Sequence, residues 1–362
     1  VHQRLQALVE RTVDKRRLAH AVLGVAVGDE TGRLIVAAGD ARPEEPMRPN
    51  TPFFIASVTK RFIATLVLQA HERGELDLDD PITILVPDEL TKDLHVYKGV
   101  DHTPAITVRH LLTHTSGLPD YFDKPKSGTS LYTQLVRGED RSWELSDVID
   151  WVREDHRPHF PPQDLSSPRQ RARYSDTGFQ LLIAILEQVT GRSFADLLQE
   201  RIFNPVGMEC SWLPGRSNPS TDASAPALIH AGRRPMNVPK LIEASNDLIS
   251  TAADMLRFQQ ALTKGKLFDR PETVELLTER ANLLRNMPPN RYGIGTWVFR
   301  VNRLVSPGWK PVTLIGHAGV TGSWLFTCPE LDVHLVGTVD QAAGKRMPFR
   351  IMLQMLRAIA GA

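Results

Sequence analysis

The strand-like text of this chain stands at its two ends, and helical periods fill the middle. Near the start, AVLGVAVGDETGRLIVAAGDA presents two apolar, β-branched runs around Asp29, Glu30, Thr31 and Gly32, the pattern of a hairpin. Beyond about residue 245, YGIGTWVFRV, VTLIGHAGVTGSWLFTCPE and VHLVGTVDQ read as strands of a meander. From about 76 to 245 the text is mostly helices broken by loops rich in Pro and Gly. Such a chain has to gather one sheet from both ends, flank it with helices and carry its middle as a helical insertion.

The helices have legible limits. Residues 1–17 are an amphipathic start, and from Ser57 to His71 the apolar positions Phe62, Ile63, Leu66, Val67 and Ala70 recur at helical spacing before Gly74. ITVRHLLTHTSGL predicts a short helix ended by Gly117, and SWELSDVIDWVRE one opened by Ser142. YSDTGFQLLIAILEQVTG predicts a helix up to Gly191, with Ser193 capping the next. Residues 212–240 read as a surface excursion, STAADMLRFQQALTKG as a helix capped by Ser250 or Thr251, and PFRIMLQMLRAIA as a closing helix.

Composition excludes several functions. With 362 residues, 41% hydrophobic and 23% charged, the chain suits one large domain or two lobes sharing a core. A net charge of +1 gives no electrostatic reason to expect nucleic acid or an anionic membrane as partner. The runs Arg169, Arg171, Arg173 and Arg233, Arg234 read as solvated faces. Cys210 and Cys328 lie far apart and outside any metal or redox spacing, so two free thiols are expected. No apolar run reaches the ~20 residues of a membrane helix. The start does not read as a signal peptide, which leaves a soluble protein of the cytoplasm, or of the periplasm or exterior after processing, equally open.

Ser57-Val58-Thr59-Lys60 is the first chemical candidate. Three positions apart at a helix start, the two side chains share one face with Cβ atoms roughly 5–6 Å apart. Burial disfavours an ammonium, and a neutral Lys60 amine would take the Ser57 proton; the unpaired N–H groups of the helix start would face the developing oxyanion. The bland alternative is a capping Ser followed by a surface Lys. Tyr174-Ser175-Asp176 stands at a second loop-to-helix junction, where Tyr174 would shuttle the proton to the leaving group; the alternative is capping by Ser175 or Asp176, with Tyr174 as a staple. His317-Ala318-Gly319-Val320 is the third element. Gly316 and Gly319 in a strand-like run imply close backbone approach, by a substrate carbonyl with Val320 N–H opposite Ser57 N–H, or by nothing more than a bulged edge strand with a solvent-facing His. His110 and His114, four apart, lack a third metal ligand, so no metal is expected. No G-x-S-x-G elbow, Walker loop or dinucleotide fingerprint is present, and no cofactor is expected.

The order S-x-x-K, Y-x-D, H-x-G, with the flanks FFIASVTKRFIATLVLQAHERGELDLDDPI, ITVRHLLTHTSGLPDY, RYSDTGFQLLIAILEQVTG and GHAGVTGSW, resembles the β-lactamase/penicillin-binding serine hydrolase superfamily over roughly residues 20–345. The likeness is to its class C side, with the DD-peptidases, D-aminopeptidases and family VIII carboxylesterases. The resemblance implies an α/β, β-lactamase-like fold, an antiparallel sheet flanked by helices with an all-helical insertion lobe. One catalytic domain of residues 1–362 would divide into an α/β lobe from about 1–75 and 246–362 and a helical lobe of about 76–245, with the site between them. It implies Ser57 as nucleophile, Lys60 as base, Tyr174 as relay and the N–H groups of Ser57 and Val320 as oxyanion hole. Asp176, His317 and Gly319 would meet the substrate, a small ester, amide or peptide. His114 to Gly117 match a stretch that looks structural, so Ser116 is not a nucleophile. Two departures matter: His317 stands where many β-lactamases have Lys, and Asp176 replaces the commoner Asn. The first, which esterases and aminopeptidases of the superfamily often share, puts a β-lactamase third, behind an esterase of short acyl chains and then a D-amino-acid peptidase or DD-carboxypeptidase, with a non-catalytic penicillin-sensing or scaffold relative as the reading from another class. The second places a carboxylate near Lys60, where it would favour the ammonium and oppose a base, or bind a cationic substrate group.

Overall fold

The computed structural model describes residues 1–16, 18–28, 32–303, 310–342 and 347–360. Its main sheet joins both regions of strand-like text: β1 (His20–Val27), β2 (Arg33–Arg42), β3 (Glu45–Pro46), β4 (Asn282–Leu283), β5 (Arg291–Tyr292), β6 (Trp297–Val301), β7 (Val312–Ala318), β8 (Trp324–Cys328) and β9 (Val333–Thr338). The spatial order is β4-β5-β6-β7-β8-β9-β1-β2-β3, every neighbouring pair antiparallel. The seam between the two regions is the β1–β9 ladder, Val22 opposite Thr338 through Val27 opposite Val333. Strands β8 and β9 are buried along their whole length, as strands covered on both faces must be. The hairpin expected at Asp29, Glu30, Thr31 and Gly32 has its two strands, while Asp29 to Thr31 lie outside the described residues. Helices α1 (His2–Arg16) and, at the far end of the sequence, Met347–Ala360 pack against each other and the sheet.

Residue 46 is the last of the first group of sheet strands and residue 282 the first of the second, and helices occupy most of the ordered text between. The central one, α2 (Thr59–Glu72), is buried at every position from Thr59 to Ala70. A helix apolar on one stripe only tolerates this because its polar side chains are bonded. Arg61 donates to Thr296 Oγ1 at 2.6 Å and Gln259 Oε1 at 3.3 Å, and Gln69 donates to the Leu267 carbonyl at 2.6 Å. α3 (Val108–Leu112) ends before Gly117, whose expected role as helix stop is corrected. Gly117 has φ +79° and sits so close to the Phe160 carbonyl that a Cβ would meet that oxygen at 1.8 Å. α4 (Leu145–Glu154) is opened by Glu144 in a capping box with Asp147, not by Ser142. α5 (Asp176–Thr190) stops at Gly191 as expected, and Thr251 caps α6 (Ala252–Thr263), which packs across β1, β8 and β9. The excursion of 212–240 contains a short hairpin, Ile229–Ala231 with Arg234–Met236. Among the described residues no helix is long and apolar enough to cross a membrane.

Candidate active site

Ser57 lies in a single 3-10 turn just ahead of α2, half-buried among buried neighbours. Distant parts of the chain fix that turn. Phe53–Phe54 pairs with Ile249–Ser250, Ile55 N–H donates to the Leu248 carbonyl at 2.9 Å, and Leu248 N–H donates to Thr59 Oγ1 at 2.9 Å. From the sheet, Ser323 Oγ donates to the Ile55 carbonyl at 2.7 Å. Ala56, directly before Ser57, is buried at φ +47°, a left-handed conformation that an L-residue adopts only when its surroundings enforce it.

Lys60 follows one turn later, 4% exposed, with Nζ 3.4 Å from Ser57 Oγ and over the rings of Tyr174 and Phe179. Its ammonium forms an ion pair with Asp176 Oδ1. The expectation of a neutral amine is therefore corrected. Burial pulls the Lys60 pKa down, but the carboxylates of Asp176 and Asp247 outweigh it and hold the pKa above the ordinary lysine value.

Tyr174 is 5% exposed and gripped through its backbone. Asn286 accepts from its N–H at 3.0 Å and donates to its carbonyl at 3.3 Å. His114, itself at φ +57°, accepts from the flanking residues, taking Arg173 N–H on its carbonyl at 2.9 Å and Ser175 N–H on Nδ1 at 3.3 Å. Thus His114 to Gly117 form a bracket for the tyrosine, with Ser116 buried. His110 is equally occupied, with Nε2 on the Gln163 carbonyl at 2.7 Å. The phenol donates to Asp176 Oδ1 at 3.3 Å. Burial, then the Asp176 charge, pushes its pKa well above the usual phenol value, while a hydrogen bond with Ser57 opposes the shift.

His317 and Gly319, expected to meet substrate, lie beneath the site instead. His317 is wholly buried; its Nδ1 donates to the Ala318 carbonyl at 3.0 Å and its Nε2 accepts from Tyr292 Oη at 3.0 Å, so neither nitrogen is left for a ligand. Burial and then the Lys60 charge push its pKa well below the ordinary value, so it is neutral. β7 is an interior strand, which also removes the bulged-edge alternative. The close approach that the two glycines implied is by the protein's own backbone. A Cβ on Gly316 would meet the Leu325 carbonyl at 2.0 Å, and one on Gly319 the Ile55 carbonyl at 2.7 Å. Val320, half-buried, follows in a turn closed by Gly319 N–H to the Ser323 carbonyl at 2.8 Å, and Gly319 holds that turn against the segment carrying Ser57.

Several residues at the site carry no sequence signal: Asp120, Tyr121, Asp247, Asn286 and Tyr292. Asp120 is buried and pushed well above the carboxylate range by desolvation and the Asp176 charge, and Asp247 is pushed up to about 7 by burial, with Lys60 opposing. They come from the loop after α3, from the segment spanning β4 and β5, and from the segment ahead of α6. Trp324 is core, whereas Trp297 lies beside Tyr174 and His317, its indole N–H buried without an acceptor among the described residues. Among the described residues no cluster of three or more metal-ligating side chains occurs, and both cysteines are free.

An antiparallel sheet drawn from both chain regions, with a serine, a lysine and a tyrosine meeting beside it, matches a known class. The β-lactamase family model matches residues 5–358, and the chain belongs to that family. It is 32% identical over 213 residues to esterase EstB of Burkholderia gladioli, covering 58% of this chain and 51% of that protein. It is 29% identical over 204 residues to a penicillin-binding protein of Bacillus subtilis (strain 168), covering 56% of this chain and 40% of that one. The chain thus spans about half the length, or less, of these curated relatives. The D-amino acid amidase of Ochrobactrum anthropi SV3 shares its fold, with TM-score 0.76 at 23% identity over 99% of this chain and 98% of the other.

Proposed function

We propose that this chain hydrolyses carboxylic esters or amides through an acyl-enzyme on Ser57, with Lys60 and Tyr174 activating the hydroxyl. The N–H groups of Ser57 and Val320 hold the oxyanion of the tetrahedral intermediate. The observation that carries the reading is the convergence on one half-buried hydroxyl: Lys60 Nζ stands 3.4 Å from Ser57 Oγ and over the ring of the buried Tyr174, whose phenol is held next to both. A scaffold has no use for that convergence on a strained turn. The division into an α/β lobe (1–75 and 246–362) and a helical lobe (76–245) puts these groups at the seam, where loops from both can wall the substrate.

An esterase for short acyl chains is the first choice of subclass, in keeping with the resemblance to an esterase. Neutral, enclosed His317 offers no fixed cation for a substrate carboxylate, which sets penicillins and peptide C-termini lower. A second reading has its own support. The acidic side chains of Asp120, Asp176 and Asp247 gather around Lys60, a setting that suits a substrate with a free amine, as in a D-amino-acid amide.

Turnover of p-nitrophenyl acetate and butyrate, D-alanine p-nitroanilide and nitrocefin by wild type and Ser57→Ala tests this. Wild type should act on the esters or the anilide, and Ser57→Ala should lose at least about a thousandfold. A variant as active as wild type would remove Ser57 from the mechanism.

A further inference from the structure

A serine of this kind needs a base at neutral pH, and the ion pair with Asp176 leaves Lys60 without a lone pair. The hydrogen bonds around Ser57 suggest where the proton goes. Lys60 donates to Ser57 Oγ, so the hydroxyl's own hydrogen turns to another acceptor, and the phenol of Tyr174, whose ring lies under the same Lys60 ammonium, stands beside it. Tyr174 in turn donates to Asp176 Oδ1 at 3.3 Å. Ser57, the Tyr174 phenol and a carboxylate oxygen thus stand in sequence, the last two joined by a hydrogen bond.

We infer that Asp176 is a catalytic residue: its carboxylate is the terminal acceptor of the Ser57 proton, delivered through Tyr174, while Lys60 remains an ammonium. The inference rests on the acyl-enzyme reading above. In acylation the Ser57 Oγ–H bond breaks as Oγ bonds the substrate carbonyl carbon. That proton passes to Tyr174 Oη, and the phenol's own proton passes to Asp176, leaving a carboxylic acid. When the intermediate collapses, Tyr174 protonates the departing oxygen or nitrogen and recovers a proton from Asp176. Water then repeats the sequence on the acyl-enzyme, so protons balance at each stage. Lys60 supplies a fixed positive charge that lowers the cost of the serine alkoxide. The high phenol pKa suits this role, since Tyr174 stays neutral at both ends of each transfer.

The groups facing Asp176 are Lys60 from α2, Asp120 and Tyr121 from the loop after α3, Tyr174, Asp247 ahead of α6 and Tyr292 of β5. Asp247 changes charge near pH 7, so the diagnostic window lies above it.

The test is the pH profile of kcat/KM for wild type, Asp176→Asn and Asp176→Glu on one turned-over ester, with fluorophosphonate labelling of wild type and Ser57→Ala alongside. Wild type should be flat between about pH 8 and 10, because it does not wait for Lys60 to lose its proton. Asp176→Asn should lose about a hundredfold or more at pH 7 and recover as pH rises, since only the Lys60 amine is then left as base. Asp176→Glu should keep at least about a tenth of wild-type kcat/KM, because it keeps a carboxylate. The opposite result for Asp176→Asn, activity at pH 7 equal to or above wild type, would make Lys60 the base and overturn the inference. If Asp176→Asn does not fold, as read by thermal melting, the wild-type profile decides alone: a rise of about tenfold per pH unit through the same window also identifies Lys60. Failure of Ser57 to label would sink the acyl-enzyme reading instead, so the two failures are distinguishable.

Discussion

Gly319 has no side chain, and the room a methyl group would need is already filled by Ser323 Oγ at 2.3 Å, the Ile55 carbonyl at 2.7 Å and Ala56 Cβ at 2.9 Å. Two of those neighbours belong to the strained turn before Ser57. Gly319→Ala therefore pushes on the turn that carries Ser57, the proposed nucleophile. It is expected to lower kcat at least about tenfold and to cost about 1–3 kcal/mol of stability, measured by steady-state kinetics and urea melts. A variant with normal kcat would show that the turn is not held from β7. At this scale the sequence was informative where chemistry is local. Ser57 and Lys60 are fixed by a helical spacing of three, and Tyr174 by its place before an apolar helix. The resemblance put the Asp176 carboxylate near Lys60, as the structure has it, but no local signal shows the pairing, which depends on how α5 docks against α2. His317 misled because exposure cannot be read from a strand whose both faces are covered.

At the scale of elements, α5 begins without the cap its sequence offers. Ser175 stands at the N-cap but makes no cap bond, donating instead to the Pro119 carbonyl at 2.9 Å, while Asp176 turns to Lys60. A missing cap costs about 1 kcal/mol. The helix start gives that up to hold the loop of Tyr174 and to set a carboxylate beside the lysine. The segment between β4 and β5 answers from the other side through Asn286. Asn286→Ala frees one grip on Tyr174 and leaves the His114 bracket. It should lower kcat about tenfold with KM and melting temperature little changed, a split that a merely structural residue would not give. Nothing in the sequence marks Asn286, since its two bonds join residues 112 positions apart. Most helix spans and the meander were legible because their hydrophobic periods are long. The end of α3 and the start of α4 were not: α3 stops at Thr113, ahead of Gly117, and α4 is opened by Glu144 rather than by Ser142.

Over the whole molecule, one buried ion pair closes the sheet that the two regions share. His20 at the head of β1 places Nδ1 2.8 Å from the Asp40 carbonyl and Nε2 2.8 Å from Asp340 Oδ2 just beyond β9, at zero exposure. Both partners are acceptors, so both ring nitrogens must donate and the imidazole is charged. Burial pulls its pKa down, yet Asp340 and Asp40 raise it above the ordinary value. A raised histidine pKa gives stability that is fully present below the unfolded value of ~6.5 and lost as pH rises through the folded one. The His20 share of the stability should accordingly shrink between pH 6 and pH 9. His20→Gln should be less stable by about 3 kcal/mol at pH 6, with the gap narrowing by pH 9. Equal gaps at both pH values would mean that His20 is neutral in the folded protein. That the two regions share a sheet was readable from the placement of strand-like text; the lock between them was not.

The pinning of residues 53–59 by Leu248, Gly319 and Ser323 has a consequence for biosynthesis. Ser57, Lys60, Tyr174 and Asp176 all leave the ribosome before β7 and β8 exist. Until those late strands dock, the turn at Ala56 is held only by the segment around Leu248 and lacks the grip of Gly319 and Ser323. On the proposed mechanism, a nascent, interrupted or clipped chain ending before residue 319 would be a silent one, its serine set only with the completed sheet.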